Sequence, residues 1–175
     1  MVICGIILFI FDKDQKNNYL KHFTGTYECK ADTKGRIMIP VALKKQMKKI
    51  IKEEFVIKRG VFNQCLEIYP IIQWNLMMNN INSLNRFKKK NIDFIRLFTA
   101  GVKLIELDSS GRFLIPRNLL IYADIKKEVV VSSAVNIIEI WDKRNYEKAI
   151  DSALIDFPGL AEEVMGDKNE TNDIS

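Results

Sequence analysis

Residues 32–40 read Asp32-Thr33-Lys34-Gly35-Arg36-Ile37-Met38-Ile39-Pro40, and residues 108–116 read Asp108-Ser109-Ser110-Gly111-Arg112-Phe113-Leu114-Ile115-Pro116. Asp, Gly, Arg, Ile and Pro stand at the same positions in both copies. A strand-like run precedes each copy, and two more strand-like runs follow it. A repeat of this extent predicts one supersecondary unit that the chain uses twice, and therefore two related sites on one scaffold.

The segments around each copy predict a β-β-α-β-β unit. Asp can accept hydrogen bonds from nearby backbone and Gly can adopt a positive φ, so residues 32–35 predict a tight turn. Pro40 and Pro116 suit the first turn of a helix. Alternating and β-branched runs predict strands at 25–31, 36–39, 54–58 and 65–69, and again at 101–107, 128–132 and 137–141. A helix is predicted over 41–51, and a shorter one after Pro116.

The segment between the two units predicts two helices separated by a polar stretch. Its apolar side chains recur at roughly helical spacing from Trp74 to Phe98, which is typical of core or of a subunit interface. Further helices are predicted over 146–154 and 160–165. We therefore expect an N-terminal extension (1–22), a first repeat with its helical segment (23–98), a second repeat (99–146), and a C-terminal helix with an acidic tail (147–175).

Charge is distributed unevenly along the 175 residues. The net charge is +5, but residues 151–175 carry −6 and residues 1–150 carry +11. A basic body favours a polyanionic partner. A solvated basic surface explains the same charge equally well, so charge alone leaves both readings open.

Several function classes find no support in the sequence. The cysteines Cys4, Cys29 and Cys65 are widely spaced and the only histidine is His22, so a disulfide framework or a zinc site is disfavoured and reduced thiols are expected. No Ser-His-Asp, phosphate-binding loop or metal-ligand spacing is present. We predict no catalytic residue, metal, cofactor or small-molecule substrate.

The first eleven residues are strongly apolar but too short to span a bilayer, and they lack the flanks of a secretory signal. No membrane association is expected. A short strand or an anchor is the alternative for this stretch. Because the repeat begins near Phe23, we expect residues 1–22 to be an extension read from an upstream start codon, contributing neither a strand nor a contact with the polyanionic partner.

The two motifs and their surroundings resemble the MraZ family. The resemblance rests on the two Asp-x-x-Gly-Arg-x-x-x-Pro motifs and on four flanking segments, covering about residues 23–165. The flanking segments are Gly25-Thr26-Tyr27-Glu28, Cys65-Leu66-Glu67-Ile68-Tyr69-Pro70, Phe94-Ile95-Arg96-Leu97-Phe98 and Ile138-Glu139-Ile140-Trp141-Asp142. Residues 1–22 have no counterpart in the family pattern, and Ser110 stands where a basic or amide residue is usual.

The resemblance implies an α+β fold in which the duplicated units form an AbrB-like swapped-hairpin, double-psi-like β-barrel with flanking helices. It implies a cytoplasmic, nucleoid-associated transcriptional regulator that assembles into a ring-like homo-oligomer. Its implied partner is double-stranded DNA carrying repeated elements upstream of the division and cell-wall gene cluster. The family's DNA-binding signature falls on Asp32, Arg36, Asp108 and Arg112.

The residues themselves favour the same site. Arg36 and Arg112 follow a turn glycine, where a guanidinium can contact phosphates or a guanine edge. A structural ion pair with the preceding Asp is the alternative, but such a pair could use Lys, whereas both copies carry Arg. Asp32 and Asp108 would repel phosphate, so we expect them, with Gly35 and Gly111, to brace the turns. Lys34 is a plausible phosphate contact.

Other lysines are expected to be a solvated face, with DNA contact as the less favoured alternative. They are Lys44, Lys45, Lys48, Lys49, Lys88, Lys89 and Lys90.

An aspartic-protease-like barrel is the main rival, because two Asp-Ser/Thr turns on a pseudosymmetric scaffold resemble a proton-sharing pair. That motif needs Gly directly after the hydroxyl residue, whereas Lys34 and Ser110 intervene here. A protein-binding barrel that does not bind DNA is the second rival.

Overall fold

The fold comes from a computed structural model that describes residues 22–166. Residues 1–21 of the expected start-site extension and residues 167–175 of the acidic tail lie outside these residues. Within them, the predicted order of elements is found. The first repeat contains β1 (Thr26–Lys30), β2 (Arg36–Met38), α1 (Val41–Gln46), β3 (Phe55–Arg59) and β4 (Leu66–Pro70).

Two helices follow the first repeat, as predicted: α2 (Ile71–Asn82) and α3 (Lys89–Thr99). The second repeat then has the same order of elements as the first. It contains β5 (Lys103–Ile105), β6 (Arg112–Leu114), α4 (Arg117–Tyr122), β7 (Glu128–Ala134) and β8 (Ile137–Asp142). The protein is thus a mixed structure of helices and antiparallel strands.

The strands of the two repeats pair with each other. One sheet has the order β1-β7-β8-β4-β3-β5, and β2 pairs with β6 in a separate two-stranded ribbon. The first strand of each repeat therefore lies beside the third strand of the other, β1 on β7 and β5 on β3. Neither repeat can satisfy its backbone hydrogen bonds alone, because its edge groups are paired by the other copy.

The strand pairing between the two repeats is symmetric at the centre of the large sheet. Glu67 of β4 lies directly opposite Glu139 of β8, with Leu66 opposite Ile140 and Ile68 opposite Ile138. The same positions of the two repeats therefore meet around a local twofold axis. Alternation along these strands sends the Leu and Ile side chains to one face and the two glutamates to the other.

The core is built from both repeats. Ile37 and Phe113 are buried, and Phe113 meets the Phe55 ring edge-on with centroids 5.2 Å apart. Leu43 of α1 and Leu119 of α4 occupy matching positions and are both fully buried. Burial of large apolar side chains from both copies is the main term that stabilises the arrangement.

The first helix is shorter than the sequence predicted. It ends at Gln46 instead of about Ile51, and tighter turns bonded from residue i to i+3 continue the chain, as from Met47 to Ile50. Lys44, Lys45, Lys48 and Lys49 place like charges four residues apart, which opposes an α-helix. The predicted apolar face persists nevertheless, because Leu43, Met47 and Ile50 are all buried.

Helices α2 and α3 place aromatic rings over the glutamate face of the sheet. Trp74 contacts the Tyr69 ring edge-on at 5.7 Å and stacks on Phe98 at 6.1 Å. The Phe98 ring covers the ammonium of Lys58, whose nitrogen lies 4.5 Å from the ring centroid. Part of the predicted stripe is therefore packed, whereas Phe87, in the turn between the two helices, is exposed.

Two further helices end the described chain, α5 (Lys143–Leu154) and α6 (Phe157–Gly166). They cover the segments predicted as helical at 146–154 and 160–165. The chain divides into two compact units after Lys143, so these helices form a unit of their own.

Candidate nucleic-acid interface

The first turn is held together by the carboxylate of Asp32. Its Oδ1 accepts hydrogen bonds from the backbone N–H groups of Lys34 at 2.8 Å and Arg36 at 2.9 Å. Its Oδ2 accepts one from Arg36 Nε at 2.6 Å. Gly35 donates its N–H to the Asp32 carbonyl at 2.9 Å and has φ of +79°, a conformation that a side chain would strain.

The second turn repeats this geometry. Asp108 Oδ1 accepts from the N–H groups of Ser110 at 2.9 Å and Arg112 at 3.0 Å, and Oδ2 accepts from Arg112 Nε at 2.8 Å. Gly111 donates to the Asp108 carbonyl at 2.8 Å with φ of +76°. In both turns, one carboxylate fixes the backbone and the direction of an arginine.

These hydrogen bonds keep both carboxylates ionised. The pKa of Asp32 is lowered to about 2, first by the Arg36 backbone N–H and, against the opposing effect of desolvation, also by the Arg36 guanidinium and the Lys34 N–H. For Asp108, desolvation acts in the opposite direction, but the bonds from Arg112 and Ser110 outweigh it and lower the pKa. Each turn therefore carries a paired negative and positive charge at neutral pH.

The arginines lie at opposite ends of the β2–β6 ribbon. Arg36 is opposite Leu114, and Met38 is opposite Arg112. With a rise of about 3.3 Å per residue and strands about 4.8 Å apart, the two arginine Cα atoms are separated by roughly 8 Å. Alternation buries Ile37 and Phe113 and turns the arginines outward with Met38 (46% exposed) and Leu114 (58% exposed).

Each turn is also fastened to the other repeat. Ile39 donates its N–H to the Gly111 carbonyl at 3.1 Å, and Ile115 donates to the Gly35 carbonyl at 3.0 Å. These two bonds occupy equivalent positions and bracket the ribbon. The geometry of one turn therefore depends on the folding of the other copy, and the two arginines are held at a fixed separation.

The sequence-predicted site residues are thus brought together as two clusters on one ribbon. Arg36, Asp32 and Gly35 form the first with the exposed Lys34, and Arg112, Asp108 and Gly111 form the second. Exposed Asp–Arg pairs stabilise a fold only slightly, so stability alone gives little reason for two such pairs.

Sequence reasoning missed three members of this surface. Met38 and Leu114 were detectable from strand alternation, since their neighbours on both sides are core residues. Lys44, expected on a solvated face, instead reaches the second turn, where its Nζ donates to the Ser110 carbonyl at 3.3 Å. That contact joins two repeats, and no local pattern in the sequence reveals it.

The site does not have the geometry of an aspartic-protease pair. A proton-sharing pair needs two carboxylates in contact, one with a raised pKa. Here each carboxylate is bonded to its own turn and its own arginine, and both pKa values are lowered.

In the described part of the chain, no cluster of His, Cys, Asp and Glu could hold a metal ion. Among residues 22–166, no helix has the length and apolarity needed to cross a membrane.

Comparison with known proteins places this geometry in context. The MraZ protein family model, whose description likens it to antitoxins, matches twice, over residues 22–97 and 98–163. The chain is 62% identical over 146 residues to the transcriptional regulator MraZ of Flavobacterium psychrophilum, covering 83% of this chain and 93% of that protein. It is 60% identical over 142 residues to that of Christiangramia forsetii (81% and 92%) and 36% identical over 140 residues to that of Finegoldia magna (80% and 94%).

Proposed function

The chain belongs to the MraZ family, and we propose that it is a sequence-specific DNA-binding transcriptional regulator. The observation that carries this proposal is the pair of Asp–Arg turns at the two ends of the β2–β6 ribbon. The related proteins are named transcriptional regulators, which supports DNA as the partner. The positive charge of residues 1–150 is consistent with a polyanion.

The ribbon itself is the part that docks. The major groove of B-DNA admits a two-stranded β-ribbon, and an arginine can pair bidentately with a guanine edge there. The Asp32 carboxylate engages the Nε–H of Arg36, one of the five N–H donors that a guanidinium carries. It thereby limits the rotamers of the arginine before binding, which reduces the entropy lost on contact. In this proposal the exposed Lys34 contacts a neighbouring phosphate.

The DNA target in this proposal is a set of short repeated elements upstream of the division and cell-wall gene cluster. One ribbon offers few contacts, so one protomer binds weakly. Several protomers in a ring-like homo-oligomer would engage successive elements, and the effective concentration created by linkage would supply the affinity. We place the protein in the cytoplasm, associated with the nucleoid.

The oligomer and the barrel are parts of the same proposal. Exchange of strands between the repeats supports a swapped-hairpin, double-psi-like barrel formed within one protomer. Leu76 of α2, Leu97 of α3 and Phe87 in the turn between these helices are exposed. Large exposed apolar side chains on adjacent helices are typical of a surface that a second protein covers. We propose that a neighbouring copy covers α2 and α3 in a closed ring.

A gel-shift measurement with the DNA upstream of the gene tests this function. We expect retention that weakens steeply as salt is raised and that exceeds retention on a scrambled sequence of equal length and composition. Equal retention on both DNAs would show that binding is non-specific attraction between charges and would contradict sequence-specific binding. No retention at low salt would instead favour a protein-binding module built on the same scaffold.

A further inference from the structure

Corresponding residues of the two short helices contact the turn of the opposite repeat. Lys44 and Leu120 each stand four residues after a repeat's proline, and each donates its N–H to that proline's carbonyl. A Cβ added at Gly35 would lie 2.6 Å from Leu120 Cδ1, and one added at Gly111 would collide with Lys44 Nζ. Each helix thus covers the glycine of the other repeat's turn.

The covering residue is charged at one turn and apolar at the other. The turn with the apolar cover has its own lysine, and the turn with the charged cover has none. The first turn carries its own lysine, Lys34, and is covered by the apolar Leu120. The second turn has Ser110 at the position of Lys34 and is covered by Lys44, whose ammonium bonds to the Ser110 carbonyl at 3.3 Å. Each turn is therefore accompanied by its own arginine and by a lysine that either belongs to the turn or covers it.

We propose that Lys44 is a DNA-backbone contact of the second turn, supplied by the first repeat in place of the basic side chain that the second repeat lacks. This inference rests on the proposed function. Lys44 is part of the first repeat in the sequence, but in the fold it lies at the turn of the second repeat.

The surroundings of Lys44 suit a phosphate. An open groove of about 510 Å³ runs beside the second turn, lined by Lys44 and Lys52 from the first repeat and by Asp108, Ser109 and Gly111 from the second. The Asp108 carboxylate is already paired with Arg112. The bond from Lys44 to Ser110 is long and goes to a neutral carbonyl, and an ammonium has three N–H donors. A compact ammonium in that position can bond a phosphate oxygen without leaving the turn.

The test compares two lysine variants on the same upstream DNA. Lys44→Met removes the charge but keeps an unbranched side chain over Gly111, and Lys45→Met makes the same change at the next, exposed position of α1. Each phosphate contact changes log K by about 0.9 per decade of salt, or roughly fivefold in affinity at 0.15 M salt relative to 1 M. We expect Lys44→Met to lose about that factor per engaged protomer and to flatten the salt slope, whereas Lys45→Met binds like the parent.

A second-site substitution then tests whether the charge of Lys44 acts at the second turn. Combining Lys44→Met with Ser110→Lys rebuilds the pattern of the first turn, so affinity and salt slope should return towards the parent values. Failure of this rescue would show that Lys44 acts elsewhere and would overturn the proposal. If Lys44→Met unfolds, Lys44→Leu replaces it, because Leu120 already occupies the equivalent position.

Arg112→Ala, measured in parallel, distinguishes failure of the Lys44 contact from failure of the proposed function. Weak binding by Arg112→Ala together with parent-like binding by Lys44→Met overturns the Lys44 contact alone. Parent-like binding by both variants overturns the proposed function of the ribbon and the Lys44 contact with it.

Discussion

Ile37 lies directly opposite Phe113 at the centre of the β2–β6 ribbon, so the same position of each repeat meets its counterpart. The local twofold axis passes between these two buried side chains and again between Glu67 and Glu139 in the large sheet. The inner side of the ribbon is therefore core, and the outer side carries the two arginines at symmetric positions. Fold and candidate site share one axis.

Removing a side chain on this axis should destabilise both repeats together. Phe113 is 1% exposed and packs against Phe55, so Phe113→Ala should lower the free energy of unfolding by about 3–5 kcal/mol. Leu114→Ala, at the next and exposed position, is the control and should change it by less than about 0.5 kcal/mol. Urea unfolding measures both; similar losses for the two variants would contradict the assigned alternation.

Acid should loosen the first turn only at low pH. The pKa of Asp32 is lowered from 3.8 to about 2, so its stabilising contribution is complete above its unfolded value and is lost as pH falls through about 2. We expect NMR titration of the Asp32 carboxyl to give a midpoint near 2. In Arg36→Ala the midpoint should rise but stay below 3.8, because the backbone N–H bonds remain. A parent midpoint at or above 3.8 would contradict the hydrogen-bonded turn.

The ion pair beneath α3 should be far more sensitive than those on the surface. Lys58 Nζ lies 2.8 Å from Glu67 Oε2, and the two side chains are 1% and 13% exposed. Lys58→Ala leaves the largely buried Glu67 carboxylate without its cation, although the Tyr69 hydroxyl still donates to it, and should cost about 3–5 kcal/mol of unfolding free energy. Lys30→Ala, which breaks an exposed 4.0 Å pair with Glu128, should cost less than about 0.5 kcal/mol. Thermal or urea unfolding measures both variants. Equal losses of unfolding free energy would contradict the burial of the Lys58–Glu67 pair.

Affinity should depend strongly on the number of DNA elements. Linked sites gain about 10²–10⁴ in avidity without any new contact, so DNA with two or more elements should bind at least about 100-fold more tightly than DNA with one. The salt slope should steepen with each element, because more phosphates are neutralised. Fluorescence anisotropy across a salt series measures both quantities. Equal affinity for one element and for several would contradict the multivalent mechanism.

Local patterns in the sequence predicted the local structure well. The Asp-x-x-Gly spacing predicted both turns, since the carboxylate hydrogen bonds that shape each turn are made within it. Alternation predicted the strands around Ile37 and Ile68 because one face of each is core. The length of α1 was wrong because the apolar spacing of Leu43, Met47 and Ile50 also fits a chain of tighter turns.

Contacts between the repeats were beyond the reach of those patterns. The pairing of β1 with β7 joins residues about a hundred positions apart, and strand patterns do not specify their partners. Lys44 could not be assigned to the second turn for the same reason. The burial of Lys58 depends on Glu67 across the hairpin and on Phe98 of α3, and no local pattern specifies these contacts.

The central claim is that the arginines of the ribbon bind DNA, and the affinity of Arg36→Ala for DNA carrying several elements tests it most directly. A single arginine contact is worth about 1–3 kcal/mol, and the loss recurs in every engaged protomer, so binding should be nearly abolished. Lys126→Ala, which removes one exposed charge from another loop, is the control and should bind like the parent. Circular dichroism should show that Arg36→Ala remains folded. Parent-like affinity in a folded Arg36→Ala protein would contradict the account.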